Sequence, residues 1–590
     1  MKRLLLITLA LVLVLGCKKK NNVVSGGAAA AKNTAQFALV KDVDGVVGIQ
    51  NLKGLETLLG NMAGKVNPAI KAQINAQTET GMRALMGVAD LKFLDHTKPM
   101  YLLGVKGKAN KLIPVLVVPF TDDKSFNAAL PKGKTACKVV KGAYKFQSLQ
   151  GSFVYVLKSE EKLAVFAFDD PAVLNKIKAF VPTLKKYKVD KPLTTLISSA
   201  ALVPIIDKGF NKTMKQMPNK KMNNTLSKEL ALFKDLVNQT KDFAFALDYK
   251  GGNLVMDIET TLKEGSDLSK VAKGSLNKSF KLAGKLPALG WLVIVSDVNL
   301  NTISIKWAEL GVDTWKELLG LSKEETKELH DQYTKLIKLG NGEYAFSMFE
   351  KDGFPLAMVS ITGTKQGKVT YDTMSKLFGS LASRMLAKGI ALSKSDEDKK
   401  MLTGLNLASV KGFVASANKL TTPKGVTLTY SPMKDGGYTG EMLMAKVDYT
   451  KLPKDTNMLK QITGSQAGAA LGYNDDSVIF TFGKEPLAIL KDTQKADSKD
   501  TRLKAIMHNY KGHAFSAGYI AIGKLVSIVK TAVPQLAPML TGLAGTDKLM
   551  IKFVFGTSDA THITGTVDLP YDDIALVIQK LGPLLGRRHR

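Results

Sequence analysis

Apolar and polar residues alternate with a period of two in several stretches of the chain. The two clearest stretches are "FAFALDYKGGNLVMDIETTL" (243–262) and "IKFVFGTSDATHITGTVDL" (551–569). Alternation of this kind is typical of strands with one buried face, and Gly251-Gly252 and Gly556-Thr557 suit the tight reversals of hairpins. The pattern therefore predicts two β-hairpins, each with its apolar side chains on one face.

These two stretches are the last of four pairs of similar segments that occur in the same order. The pairs are 37–44 with 292–299, 101–120 with 344–363, 153–177 with 467–492, and 243–262 with 551–569. In the third pair, Phe168 and Phe482 end a strand pattern. Pro171 and Pro486 then fall in the first turn of a predicted helix, where proline is best tolerated. The shared order predicts an internal duplication.

Helical patterns separate the hairpins, as in "LKGLETLLGNM" (52–62) and "IKWAELGVDTWKELLGL" (305–321). Antiparallel hairpins that alternate with helices indicate an α+β fold. We predict two homologous tandem modules, 35–282 and 286–590, each an antiparallel sheet of hairpins with helices packed on one face. The second module is predicted to have an additional hairpin region at 409–449, with a turn at Pro423-Lys424-Gly425.

The chain opens with "MKRLLLITLALVLVLGC", in which two basic residues precede an apolar run of about a dozen residues. A membrane-spanning helix needs about 20 apolar residues, so the pattern predicts a secretory signal peptide at 1–16. Its end, "VLGC", resembles the lipobox of bacterial lipoproteins, although Leu15 stands where a small residue is usual. This resemblance covers residues 1–17 and implies that Cys17 carries a diacylglycerol on its sulfur and an acyl chain on its amine. A plain cleaved signal with an incidental cysteine is the alternative.

Residues 17–34 are predicted to form a flexible, lipidated tether between the membrane and the folded body. Two or three acyl chains anchor a protein stably where one does not. By the same resemblance, Lys18 in place of an aspartate after Cys17 implies the outer membrane, facing the periplasm. Display on the cell surface is the alternative location.

The formal net charge is +31, but only seven of the 83 basic residues are arginines. Specific recognition of phosphates and bases favours the arginine fork over the point charge of lysine. The lysines are spread along the chain and no nucleic-acid-binding signature is present, so no nucleic-acid partner is predicted. The charge fits either diffuse solvation or attraction to anionic envelope polymers and lipid headgroups.

The sequence contains little material for catalysis or for metal binding. It has six histidines, and the closest two, His508 and His513, do not form a zinc-binding pattern. Cys137 has no disulfide partner if Cys17 is acylated, which favours a buried structural thiol. "PKGKTA" (131–136) contains part of a P-loop, but Ala128 stands where the loop needs glycine. We therefore predict no catalytic, metal or cofactor site.

These patterns predict a non-enzymatic binding or structural protein of the cell envelope. A second hypothesis is a carrier or chaperone for lipids or other amphiphiles that uses an apolar groove. It depends on apolar segments rich in leucine, isoleucine, valine and methionine at 201–217, 525–545 and 574–586. An enzyme with polar side chains converging around His508 and His513 is the third.

Overall fold

The computed structural model describes residues 39–575, apart from 41, 67–77, 109–111, 132–137, 141–142, 149–152, 216–219, 277–278, 288–289, 299–300, 393–395, 407–409, 422–424, 452–463, 496–500, 511 and 533–548. The predicted signal peptide, the tether with Cys17, the P-loop-like residues 132–136 and Cys137 lie outside the described residues.

In the described part of the chain, twenty strands form one sheet, and every pairing between them is antiparallel. The first ten, called here the first half, are β1 Val43–Ile49, β2 Met100–Lys106, β3 Leu112–Pro119, β4 Lys138–Val140, β5 Ala143–Gln147, β6 Phe153–Lys158, β7 Leu163–Phe168, β8 Leu193–Ser198, β9 Thr240–Lys250 and β10 Asn253–Leu262. The second half comprises β11 Leu292–Asp297, β12 Gly340–Lys351, β13 Phe354–Thr364, β14 Val426–Asp435, β15 Tyr438–Val447, β16 Gln466–Tyr473, β17 Ser477–Gly483, β18 His513–Ala521, β19 Met550–Asp559 and β20 His562–Leu569.

The two halves meet where β10 pairs with β20, which we call the seam. From the outer edge of the first half to the seam, the order is β4, β5, β6, β7, β3, β2, β1, β8, β9, β10. From the outer edge of the second half it is β14, β15, β16, β17, β13, β12, β11, β18, β19, β20. Each strand of the first half thus has a counterpart in the second.

Helices occupy most of the longer connections. In the first half they are α1 Leu52–Val66, α2 78–86, α3 Asp123–Ala129, α4 Ala172–Ile177, α5 Ser199–Lys215, α6 Lys220–Asn238 and α7 Asp267–Gly274. In the second half they are α8 Asn301–Leu319, α9 Lys323–Leu339, α10 Gly367–Leu392, α11 Asp396–Thr403, α12 Val410–Thr421, α13 Pro486–Lys495, α14 Thr501–His508, α15 Ile522–Ala532 and α16 571–575. Short 3₁₀ helices lie at Val181–Lys186, Lys281–Lys285 and Tyr449–Lys451. The molecule is therefore a mixed α+β protein built on a large antiparallel sheet.

Three of the four predicted segment pairs fall on counterpart strands: β2–β3 with β12–β13, β6–β7 with β16–β17, and β9–β10 with β19–β20. The first pair was placed wrongly, because the counterpart of β11 is β1 at Val43–Ile49 and not 37–44. Val46 is fully buried between β2 and β8, whereas Val40 is 41% exposed. The glycines of β1 weaken its apolar pattern, but Gly48 is required there, since a Cβ at this position would lie 2.5 Å from Val189.

One predicted turn, Gly556-Thr557, is wrong, and most of a second, Pro423-Lys424-Gly425, lies outside the described residues. The hairpin of β19 and β20 reverses at 560–561, where the carboxylate of Asp559 accepts a hydrogen bond from the Thr561 amide at 2.7 Å, and Gly556 lies inside the strand. The β14–β15 hairpin reverses at Gly436-Gly437, which both have positive φ. Gly425 precedes β14, and 422–424 lie outside the described residues. This hairpin extends the sheet as predicted, but it is not additional, because it is the counterpart of β4–β5.

The prediction of helices on one face only is wrong for both halves. In the second half, α13 and α14 lie on one face of the sheet and α10 lies on the other. In the first half, β3 shows the same two-sided cover. On β3, Val115 and Val117 belong to one buried cluster together with Leu174 of α4. The alternate residues Leu116 and Val118 belong to another, together with residues of α2 and α3. The segment "LIPVLVVP" has apolar side chains on both faces of the strand, because the strand lies in the middle of the sheet and is covered on both sides.

Candidate binding face

Directly opposed residues of paired strands point to the same side of a sheet, so the strand register defines two faces that run across both halves. On one of them, the core face, Val293, Ala345, Val359 and Ile479 of the second half are at most 1% exposed. Helices α13 and α14 cover these side chains. The core face is thus a conventional hydrophobic core.

The opposite face of the second half, which we call the open face, also carries apolar side chains, but they remain partly exposed. One row of directly opposed residues crosses six neighbouring strands from β11 to β15: Ile294, Phe346, Ser360, Phe480, Leu471 and Glu441. At the usual strand spacing this row is about 24 Å long. Met358 and Leu443 lie beside it and are likewise half-buried. The result is an apolar strip with a single carboxylate at one end.

The open face continues over the seam. Phe553 and Phe555 of β19 lie on it with ring centroids 6.2 Å apart, and both are partly exposed. Phe243 and Phe245 of β9 stack at 6.5 Å on the same face, beside Ile258 of β10. Partly exposed aromatic side chains therefore continue the apolar strip onto strands of the first half.

A layer of helices lies on the open side of the second half. Tyr371 of α10 packs against Tyr473 of the open face with ring centroids 4.9 Å apart. A separate apolar cluster joins α8, α9 and α10 to one another, and it includes Val312, Leu329 and Leu377. Helix α8 packs chiefly against α6 and α9 rather than against a strand. These helices bury much of their apolar surface in each other, which leaves the side chains of the open face incompletely covered.

The helical layer connects the two halves through α6 and α8. Lys228 of α6 pairs with Asp313 of α8 at 2.7 Å, and Lys306 of α8 pairs with Asp235 of α6 at 2.8 Å. All four side chains are 38–45% exposed, so each ion pair contributes only about 0.2–1 kcal/mol. Leu236 of α6 and Ile303 of α8 also belong to one apolar cluster, so apolar packing accompanies these exposed ion pairs.

The carboxylate at the end of the open-face row lies among three tyrosines. The Tyr430 hydroxyl donates to Oε1 of Glu441 at 3.1 Å. Burial, together with the charge of Glu441, raises the pKa of Tyr371 to about 12. The ring of Tyr371 packs on Tyr473, which is the next open-face residue after Leu471 on β16. Glu441 takes part in no ion pair with the described residues.

Buried carboxylates lie on the core face at the seam. Glu259 and Asp257 of β10 and Asp568 of β20 are at most 2% exposed, and the Thr566 hydroxyl donates to Asp257 at 2.8 Å. Burial raises the pKa of Glu259 to about 8 and that of Asp568 to about 7. Lys552 lies directly opposite Asp568 on β19, and burial lowers the pKa of this lysine.

The structure does not gather the histidines into a site. His508 ends α14 and His513 begins β18, and both side chains are exposed. Within the described ranges, no group of three or more histidine, cysteine, aspartate or glutamate side chains is arranged to hold a metal ion. Cys17, the lipidation residue implied by the lipobox, lies outside those ranges, as does Cys137.

Two of the three apolar segments behind the carrier hypothesis form helices in their described parts. They are α5 for 201–215 and α15 for 525–532, and these helices follow the counterpart strands β8 and β18. The remainder of these segments and most of the third, at 576–586, lie outside the described residues. No helix in the described part of the chain is both long enough and apolar enough to cross a membrane.

Sequence reasoning missed the open face, although a signal for it exists. "YAFSMF" (344–349) and "IFTF" (479–482) have apolar residues at both odd and even positions of a strand. This pattern indicates that both faces of the strand are apolar. The pattern does not reveal how completely helices cover each face. Comparison of the chain with protein-family models, with curated proteins and with solved structures gives no match.

Proposed function

We propose that this chain is a lipid-anchored protein of the bacterial cell envelope whose folded body binds the acyl part of an amphiphile on the open face. The anchor is Cys17, acylated after removal of residues 1–16, and the body faces the periplasm from the outer membrane. The role is binding and not catalysis. This proposal joins the lipobox resemblance to the carrier hypothesis.

The incomplete cover of the open face is the observation that carries the binding role. Soluble proteins seldom leave a long apolar strip partly exposed unless it meets a ligand or a partner. Here the strip includes Phe346, Phe480 and Met358, and the helical layer above it packs largely on itself. Methionine and aromatic side chains adapt well to flexible apolar ligands. A strip about 24 Å long accommodates one acyl chain, since two opposed chains fill a bilayer core about 30 Å thick.

We also propose that the two halves are homologous modules that arose by duplication. The identical order of ten strands supports this, and so does the register. In the first half, a row of directly opposed residues on β1, β2 and β3 consists of Val47, Leu102 and Leu116. The counterpart row on β11, β12 and β13 of the second half consists of Ile294, Phe346 and Ser360. The register makes Met256 of β10 the counterpart of Gly565 of β20, and Ile258 the counterpart of Val567. At the seam Ile258 opposes Gly565 and Met256 opposes Val567, so exchanging the two halves exchanges these two pairs, as a twofold relation requires.

The binding role is tested with a Cys17→Ser chain, which has no acyl group of its own. We expect a co-purifying amphiphile, extracted with organic solvent and measured by mass spectrometry per mole of protein. Met358→Asp, which places a charge on the open face, should lose it. Val139→Asp is the matched control, because Val139 is 69% exposed on the outer strand β4. Absence of any amphiphile, or equal retention by Met358→Asp, would contradict the proposal.

The anchor is tested separately by phase partitioning in Triton X-114. The full-length chain expressed in a bacterium should enter the detergent phase, and its N-terminal peptide should carry the mass of a diacylglycerol and an acyl chain on Cys17. The Cys17→Ser chain should remain in the aqueous phase. Aqueous partitioning of both chains would refute lipidation without affecting the binding role.

A further inference from the structure

We propose that Glu441, with Tyr371, Tyr430 and Tyr473, forms a subsite for the ammonium head of the amphiphile that occupies the open face. This inference rests on the proposed binding role and specifies the chemical class of the ligand. The four side chains come from β14, β15, β16 and α10, so the site is assembled by the fold and not by one segment.

The charge of Glu441 has no partner of opposite sign among the described residues. The chain carries 31 excess positive charges, and many of its carboxylates pair with lysines, such as Asp248 with Lys191 and Asp435 with Lys491. Glu441 is half-buried on the open face and has no cationic partner among the described residues. A carboxylate in such a setting is stabilised by an opposite charge within about 4–6 Å.

The aromatic rings around Glu441 suit an ammonium group. Tyr371 and Tyr473 lie in contact, and the Tyr430 hydroxyl holds the carboxylate in place. A carboxylate beside the electron-rich faces of aromatic rings is the usual way in which proteins bind primary and quaternary ammonium groups. The Tyr430 hydroxyl donates to Oε1 of Glu441, and a carboxylate has about four acceptor positions, so positions remain for a further donor.

The subsite lies at the end of the apolar row on the open face. Glu441 directly opposes Leu471 on β16, and Leu471 opposes Phe480 on β17, so the apolar row starts beside the carboxylate. A ligand with its ammonium group at Glu441 would lay its acyl chain along Leu471, Phe480 and Phe346 towards β11. The charged and apolar parts of one amphiphile thus match the two parts of one row.

The test compares lysophospholipids that share one acyl chain and differ in the head: ethanolamine, choline or glycerol. Affinities are measured by isothermal titration calorimetry on the Cys17→Ser chain. We expect the ethanolamine or the choline lipid to bind about tenfold more tightly than the glycerol lipid, because only an ammonium head places a partly desolvated cation beside Glu441 and the tyrosine rings. Comparison of the ethanolamine lipid with the choline lipid shows whether the subsite prefers a primary or a quaternary ammonium group.

Glu441→Gln keeps the shape of the side chain and its ability to accept from Tyr430. It should bring the ammonium-headed lipids to the affinity of the glycerol lipid without weakening the latter. Glu160→Gln makes the same change at an exposed position between β6 and β7 and should keep the tenfold preference. Equal binding of all three lipids by the unaltered chain, or an undiminished preference in Glu441→Gln, overturns the subsite alone. Failure of all three to bind overturns the binding role as well.

Discussion

The two halves share one strand order, yet they treat the same side of the sheet differently. In the first half, Leu116, Phe166 and Val156 lie on the side that is open in the second half, and all are at most 3% exposed. Their counterparts in the second half are Ser360, Phe480 and Leu471, which are all partly exposed. One half thus has a filled core where the other has an apolar strip.

The difference arises in the connections between the strands. In the first half, α2, α3 and the segment between α2 and β2 insert large side chains against the sheet, including Met86, Phe93 and Phe126. In the second half, the connection from β13 to β14 contains the three helices α10, α11 and α12. In the described residues of the corresponding connection of the first half, from β3 to β4, the one helix is the seven-residue α3. Helix α10 buries part of its apolar surface against α8 and α9, and α12 packs chiefly against the edge strand β14. The two halves therefore share the strand order and differ in their connections, which cover this side of the sheet completely in one half and incompletely in the other.

The largest expected effect comes from truncating one phenylalanine in each half. Phe166 and Phe480 occupy counterpart positions on β7 and β17. Phe166→Ala should lower the free energy of unfolding by about 3–5 kcal/mol, because it empties a filled core. Phe480→Ala should lower it by only about 1 kcal/mol, because its ring already meets solvent. Urea unfolding followed by circular dichroism measures both values.

The same pair should respond in the opposite way to ligand. Phe480→Ala should reduce the amount of co-purified amphiphile, whereas Phe166→Ala should retain it at temperatures where the variant is folded. Equal losses of stability in the two variants would mean that both faces are core, and the distinction between the halves would fail.

The outline of the sheet could be read from the sequence, because period-two alternation and the proline after each counterpart strand are local signals. Phe168 with Pro171 and Phe482 with Pro486 located β7 with α4 and β17 with α13 correctly. The position of β1 could not be read, because Gly45 and Gly48 are dictated by neighbouring strands and by Val189, which are distant in sequence. The subsite at Glu441 could not be read either, since its tyrosines come from β14, β16 and α10.

The second prediction concerns the matched carboxylates at the seam, Glu259 and Asp568. Both have a pKa raised by burial, so the folded chain holds a proton that the unfolded chain has lost. For such groups, stability is fully present below the unfolded pKa, which is about 4.5 for Glu259 and about 3.8 for Asp568, and it is lost as the pH rises through the folded pKa. The urea midpoint should therefore fall as the pH increases from about 4.5 to about 8.

The two carboxylates should contribute unequally to this pH dependence, because Asp568 lies opposite Lys552 whereas Glu259 lies opposite the uncharged Thr564. Glu259→Gln should flatten the pH dependence more than Asp568→Asn does, and at pH 8.5 it should be more stable than the unaltered chain. Glu160→Gln, an exposed control, should leave the profile unchanged. A stability that rises between pH 5 and pH 8 would show that these carboxylates are ionised in the folded protein.

The smallest expected effect concerns the two outer edges of the sheet. The outer strand β4 has only three residues, but β14 has ten, and a long unpaired edge invites association with another strand. The carboxamide of Asn418 on α12 occupies this edge: it accepts from the Leu428 amide at 2.7 Å and donates to the Leu428 carbonyl at 2.6 Å. Pro432 removes one further donor from the same strand.

Asn418→Ala should release both backbone groups of Leu428 at a cost of about 1–2 kcal/mol. It should also produce a concentration-dependent dimer, detected by size-exclusion chromatography with light scattering. Asn418→Asp can accept but cannot donate, so it should give an intermediate result, and the exposed neighbour Lys419→Ala should remain as the unaltered chain. If Asn418→Ala stays in the oligomeric state of the unaltered chain at every concentration, the edge is protected by α12 as a whole, and the side chain of Asn418 only completes the hydrogen bonds of β14.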